Sequence, residues 1–268
     1  MTQETATKPT VITNAPFHPS LAVKDLPKSR AWYADKLGWE PSLEPPELAV
    51  YKIGDSFFTL YETQYAGTAK STVMNWYVAD MRAEMARLRE RGVIFEEYDF
   101  GDIKTVDGIM TDPGGDMDAW FKDPDGNTIS MLSPSPESRA RLQPPDITGM
   151  LAAADLGRAR AWYAEKLGFE PVFESDDVIL IYRSGDTVFN VYKSQFAGTA
   201  KNTVGVWRMP GIRDEVARLR GNGVVFEEYD FGDEGKTVGG IMSEGESDIN
   251  AWFVDSEGNI LALAEEPA

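Results

Sequence analysis

The residue that bounds the chemistry of this chain most tightly is His18, its single histidine among 268 residues. There are no cysteines. Together these counts exclude a thiolate nucleophile, a disulfide, a zinc–thiolate or iron–sulfur site, and any metal site needing two imidazoles from one chain. His18 can act alone as a general base or hydrogen-bond partner, or it can be held by a backbone carbonyl with no chemical role. A second polar group in an apolar setting is Ser130, inside the closing strand of AWFKDPDGNTISML. Trp120 and Trp252 precede the turns DPDG and DSEG, where an aromatic ring either stacks on a planar ligand or fills the core. Lys104 and Lys236, each followed by a threonine (Thr105, Thr237), could answer a carboxylate ligand or stand solvated.

These residues sit in an acidic chain. Lysine and arginine number 26 against 44 aspartates and glutamates, a net charge of −18. Such a surface repels phosphate backbones and anionic lipid, so neither nucleic acid nor membrane is an expected partner, and a cationic ligand is attracted. No apolar run approaches the ~18 residues of a spanning helix. The first residues, 1–14, lack a basic start and an apolar stretch and read as a flexible leader. The absence of cysteine fits a cytoplasmic location.

The elements that must position the chemistry are written twice. AWYADKLGWEP at Ala31–Pro41 returns as AWYAEKLGFEP at Ala161–Pro171, and GVIFEEYDFG at Gly92–Gly101 as GVVFEEYDFG at Gly223–Gly232. QYAGTAK at Gln64–Lys70 returns as QFAGTAK at Gln195–Lys201, a loop crossing between modules with too few glycines for a phosphate cradle. The tandem duplication places one domain at 15–133 and a second at 146–264, joined by a Pro- and Ser-rich linker at 134–145.

Within each copy the pattern is strand, helix, strands, and then the same again. Asp25 is the expected N-cap and Gly38 the expected stop of the first helix. ELAVYKI and SFFTLYET form a hairpin through Gly54-Asp55. TVMNWYVAD is a strand, and the following helix turns Met81, Met85 and Leu88 to one face. VIFEEYDF, GIMTD…AWFKD and NTISML are three further strands. The fold class is therefore α+β, with four βαβββ modules paired into two cupped mixed-sheet domains, because one module alone leaves a sheet face unburied.

The opening V-x-D-L…R-A-W-Y…K-L-G-W-E-P at Val23–Pro41, its echo at Ala153–Pro171, the helix AEMARLRERGV at Ala83–Val93 with its counterpart at Glu215–Val224, and WFKDPDGN at Trp120–Asn127 resemble the vicinal oxygen chelate group, the glyoxalase/bleomycin-resistance/dioxygenase superfamily. The resemblance covers both copies. It implies fold more than function, because the superfamily spans isomerases, dioxygenases, epimerases and metal-free drug binders. It also implies where metal ligands would stand. In the first cup these are His18, Thr59, Val73 and Ser130, and in the second Thr148, Asn190, Val204 and Ala262. These are poor ligands apart from His18, so no metal and no other cofactor is expected.

Strand alternation outward from those positions lines the cups with Ser20, Phe57, Tyr61, Asn75 and Tyr77 in one copy, and Met150, Val188, Tyr192, Val206 and Arg208 in the other. The expected activity is binding of a small aromatic or cationic organic molecule, of the bleomycin-resistance type, by a monomer or weak dimer. The alternative is a metal-independent lyase, isomerase or cyclase with His18 as base and Ser130, Thr59 or Tyr61 orienting. A metal-dependent glyoxalase or dioxygenase stands last.

Overall fold

The computed structural model describes residues 11–45, 47–100, 103–142, 145–175, 177–232, 235–244 and 248–265. The first module comprises β1 (Phe17–Val23), α1 (Leu26–Trp32), β2 (Pro41–Leu43), β3 (Leu48–Ile53) and β4 (Ser56–Glu62). The second has β5 (Thr72–Tyr77), α2 (Met81–Glu90), a short ribbon of β6 (Asp99–Phe100) and β7 (Ile103–Lys104), then β8 (Met110–Thr111), β9 (Met117–Lys122) and β10 (Thr128–Ser133). The connection holds a helix, α3 (Pro136–Leu142), where the composition suggests only a linker. The third module is β11 (Ile147–Ala153), α4 (Leu156–Trp162), β12 (Phe173–Ser175), β13 (Ile179–Ser184) and β14 (Thr187–Lys193). The fourth is β15 (Thr203–Met209), α5 (Ile212–Gly221), β16 (Ile241–Glu244), β17 (Asp248–Val254) and β18 (Ile260–Glu265).

Local signals explain the helix boundaries. Asp25 accepts the Lys28 N–H at 2.9 Å, and Gly38 takes the left-handed conformation (φ 76°) that ends the helical segment after the turn Tyr33–Leu37. Met81, Met85 and Leu88 are buried along one face of α2. VIFEEYDF, in contrast, is not a full strand: Phe95 bridges Phe121, and only its end joins the β6–β7 ribbon. Ile12, within the expected leader, is fully buried, and its N–H donates to buried Glu215 at 2.9 Å. The remainder of the leader, 1–10, lies outside the described residues.

The repeated motifs act on each other. Tyr33, from RAWY, donates to Asp123 of the DPDGN turn at 3.0 Å, and Tyr163 donates to Asp255 at 2.9 Å. Asp123 also accepts the N–H groups of Asp125 and Asn127, while Asn127 Nδ2 donates to Ala22 O on β1. These residues pin the first helix of one module to the closing turn of the next; all are satisfied and buried or nearly so, a structural assignment. The two AGTAK loops meet reciprocally. Lys70 N–H donates to Thr199 Oγ1 and Lys201 N–H to Thr68 Oγ1.

The strands form two eight-stranded mixed sheets, β16-β17-β18-β15-β1-β4-β3-β2 and β12-β13-β14-β11-β5-β10-β9-β8. Each sheet therefore joins modules from different copies. The first and fourth modules make one, through antiparallel β1–β15, and the second and third make the other, through β5–β11. We call their concave faces the terminal cup and the central cup. The backs of the sheets share one core. Phe17 lies there against Phe189 and Trp207, with ring centroids 4.9 and 4.7 Å away, and fills the space left by Gly149 and Gly205.

Candidate functional site

Alternation sorts each strand into a core row and a cup row. On β1, Phe17, Leu21 and Val23 join the core, which leaves His18, Ser20 and Ala22 on the cup face. His18 stands directly opposite Val206 on β15, and Ser20 beside Thr59 on β4. The terminal cup therefore gathers His18, Ser20, Phe57, Thr59, Tyr61, Val206, Arg208, Ala262 and Trp252. The central cup gathers Thr148, Met150, Asn190, Tyr192, Asn75, Tyr77, Ser130 and Trp120, through the pairs Thr148–Asn75, Met150–Asn190, Ser130–Asn75 and Ser130–Trp120.

This regrouping corrects two expectations. His18 and Ser130 do not share a cup, because the pairing crosses copies; Ser130 donates to Asn75 Oδ1 at 2.9 Å instead. Val73 and Val204 do not line either cup. Each lies at a register shift, one between β5 and β10 and one between β15 and β18, and packs in the core. Tyr192 and Tyr61 reach those shifts with their hydroxyls. Tyr192 Oη accepts the Thr72 N–H at 2.7 Å, and Tyr61 donates to Thr203 O at 3.1 Å. Their rings face the cups, but their hydroxyls are committed to the backbone.

His18 is buried, stacked on Phe57 (centroids 5.5 Å apart, planes at 8°), and close to Arg208. Desolvation and the Arg208 charge lower its pKa to about 4, with Asp186 opposing. The imidazole is thus neutral at physiological pH. The unfolded chain takes up a proton first as pH falls, so His18 removes stability below about 6.5 until the folded imidazole protonates near 4. Between about pH 7 and pH 4, His18→Gln is expected to gain roughly 3 kcal/mol on the wild type in urea unfolding. An unchanged difference at the two pH values would show a well-solvated imidazole.

The central cup is built from neutral polar groups. No well-formed hydrogen bond closes on Thr148 Oγ1 or Asn190 Oδ1, although these residues are only 1% and 2% exposed and the Tyr77 hydroxyl interacts with both. The Tyr77 hydroxyl lies close to Thr148, Asn190 and Asn75; burial raises its pKa and these neighbours partly offset the rise. Thr59 Oγ1 is the counterpart in the terminal cup, also buried and without a partner. An aromatic rim closes each cup. Trp120 meets Tyr98 edge-on at 5.5 Å, and Trp252 meets Tyr229 and Phe231 at 5.8 and 5.7 Å. Both tryptophans are half-buried on the cup side, outside the main core, and Trp252 packs there against Val206, Ala262 and Ala264. The shared threonines hold this rim. Thr105 accepts the Tyr98 N–H and donates to Glu97, as Thr237 does with Tyr229 and Glu228. Lys104 is exposed and paired with Asp99.

Asp118 was not anticipated. It precedes Trp120 by two residues on β9, and Ala119 and Phe121 fill the core between and after them, so Asp118 shares the cup face with Trp120. Burial, then Asp116 and Asp112, push its carboxyl up to about 7.

Residues 15–131 match the sequence profile of the Glyoxalase/Bleomycin resistance protein/Dioxygenase superfamily, and the second copy repeats those motifs on the same elements. The match assigns the first copy, residues 15–131, to this superfamily. Glyoxalase I from Zea mays superposes with a TM-score of 0.63 at 15% identity, over 92% of this chain and 91% of that one. A "putative dioxygenase" from Bacillus subtilis subsp. subtilis str. 168 superposes with a TM-score of 0.58 at 15% identity, over 97% and 87%. These likenesses show the fold. Comparison with curated proteins gives no match.

The glyoxalase-like scaffold implies a metal in many members, and the donor sets can be tested against one. Around His18 the terminal cup offers one imidazole, the hydroxyls of Ser20 and Thr59 and the aliphatic Val206 and Ala262. The corresponding positions of the central cup offer two hydroxyls and two amides, with the single carboxylate of Asp118 farther out on β9. Among the described residues, no three His, Cys, Asp or Glu side chains gather to hold an ion. A divalent cation wants about three imidazole, carboxylate or thiolate donors, and neither set fits.

Proposed function

We propose that this superfamily member binds a small planar organic molecule in its cups and sequesters it without a metal and without turnover. The observation that carries the reading is the pair of buried polar atoms without a well-formed hydrogen bond in the central cup, the Thr148 hydroxyl and the Asn190 amide oxygen, beside a half-buried tryptophan–tyrosine rim. A buried polar atom left unpaired costs about 1–3 kcal/mol, which a ligand supplying the missing hydrogen bond recovers. The apolar walls and rim aromatics supply the remaining contact area. His18 is poorly suited to act as a general base. An efficient general base titrates near the working pH, and His18 does so near 4 without Ser130 beside it. Among the described residues no helix is long and apolar enough to cross a membrane, and a cytoplasmic sequestering role is consistent with that.

The test uses acridine as a planar probe and quenching of tryptophan fluorescence as the signal. Saturable binding is expected, and Thr148→Trp, which fills the central cup, should weaken it by tenfold or more (on the order of one lost ring contact and one hydrogen bond). His18→Ala should leave affinity within about twofold. Wild-type affinity in Thr148→Trp would place the probe elsewhere and overturn the reading. If a substrate is found and His18→Ala slows its turnover by about a hundredfold, the protein is an enzyme instead.

A further inference from the structure

We infer that the central cup selects a planar aromatic compound bearing a protonated amine, with Asp118 as its counter-charge, and that the terminal cup does not share this preference. The inference rests on the proposed binding function and adds the ligand's charge class. Three observations carry it.

The first is the placement of Asp118. It stands on the cup face of β9, paired across the sheet with Leu132 on β10, which in turn lies beside Tyr77 on β5. The charges that act on it, Asp116 and Asp112, are of its own sign, and among the described residues no ion pair involves it. Lys122, on the same strand, is engaged with Glu96 at 2.6 Å. A half-buried carboxylate among like charges gains from a cation brought by a ligand.

The second is the hydrogen-bonding sense of the site. Asn190 Oδ1 can only accept, its Nδ2 being turned to Met150 Sδ at 3.4 Å, and no well-formed hydrogen bond reaches it, the Tyr77 hydroxyl being one donor near it, shared with Thr148 and Asn75. Thr148 Oγ1 likewise lacks a well-formed hydrogen bond and is equally buried. Ser130 already spends its proton on Asn75. Asn190 Oδ1 therefore accepts only and Thr148 Oγ1 can accept as well as donate, so a ligand N–H donor can answer both. The ring faces of Trp120 and Tyr98 at the rim suit a delocalised cation.

The third is the comparison of the two cups, which share one register. Asn250 precedes Trp252 by two residues and pairs with Ala264, as Asp118 does with Leu132; Arg208 pairs with Ala264 as Tyr77 does with Leu132. At equivalent points the terminal cup thus replaces a carboxylate by an amide and a phenol by a guanidinium. One scaffold presents two cups that differ in charge at two positions, and only the central one suits a cation.

The experiment compares 9-aminoacridine, cationic at about pH 8, with acridine, neutral there, in wild type, Asp118→Asn and Glu90→Gln, with circular dichroism confirming folding. Glu90 is exposed on α2 and removes the same bulk charge. Wild type and Glu90→Gln are expected to prefer 9-aminoacridine by about tenfold, the scale of one partly desolvated ion pair. Asp118→Asn should lose that preference while its acridine affinity stays within about twofold. A preference unchanged in Asp118→Asn, or equally lost in Glu90→Gln, overturns the inference and leaves the binding function standing. If neither dye binds wild type, both fall.

Discussion

Alanine at Gly205 is expected to destabilise the protein by roughly 3 kcal/mol, the upper end of the usual overpacking cost. The sign is the informative part. Gly205 lies inside β15 and its backbone is not in the left-handed region, so on propensity alone alanine there should stabilise by about 0.5–1 kcal/mol. The opposite is expected because an added Cβ would stand 2.0 Å from the Phe17 ring. The ring cannot retreat, since a Cβ on Gly149 would stand 2.3 Å from it. Phe189 and Trp207 close two further directions. Urea denaturation measures the effect. Gly205→Ala combined with Phe17→Leu should recover part of the loss, because the two sites share one volume and cannot be additive. Gly221→Ala, with open space around the new methyl, is the control and should be neutral or stabilising. A stabilised Gly205→Ala would mean that the sheet backs are less tightly packed than the geometry shows.

Phe17 also explains how much of the fold the chain discloses in advance. Its alternation with His18 is visible in FHPSLAV, and with it the division of β1 into a core row and a cup row. Caps at Asp25 and Gly38, the α2 face and the two-copy plan are equally local, since each is decided within a few residues. What a period of two does not disclose is the neighbouring strand. His18 meets Val206, far along the chain, and no spacing rule distinguishes that partner from Asn75 in the same copy. That single ambiguity placed Ser130 beside His18 in expectation and in a different cup in the structure. The bulges that turn Val73 and Val204 inward are similarly non-local, being held by Tyr192 and Tyr61 from another strand. Asp118 is different. It stands two residues before Trp120, and the same alternation that assigns Trp120 to the cup assigns Asp118 there as well.

Separating the two copies is expected to change the oligomeric state without abolishing the fold. Residues 11–142 alone keep β1 and β5 but lose β15 and β11, the strands they pair with in the centre of each sheet. Each broken ladder exposes backbone donors and acceptors along a central strand and opens a cup face, which a lone copy cannot rebury. A second copy of the same segment can restore both junctions at once, β1 of one chain against β5 of the other and the reverse, because β15 and β5 occupy equivalent places in the duplicated order. Analytical ultracentrifugation of this segment at micromolar concentration should therefore show a folded dimer. Its midpoint of thermal unfolding should rise with concentration, as expected when folding and association are one process. The dimer will be weaker than the tandem chain, where the connection through α3 holds the partner at high effective concentration. Adding the 145–265 segment should draw the first copy into a mixed complex that regains both native cups, and this complex should be preferred, because Phe17 finds Gly205 and Gly149 only across the two different copies. A folded, stable monomer of residues 11–142 would show that the cross-copy ladders are not what closes the sheets.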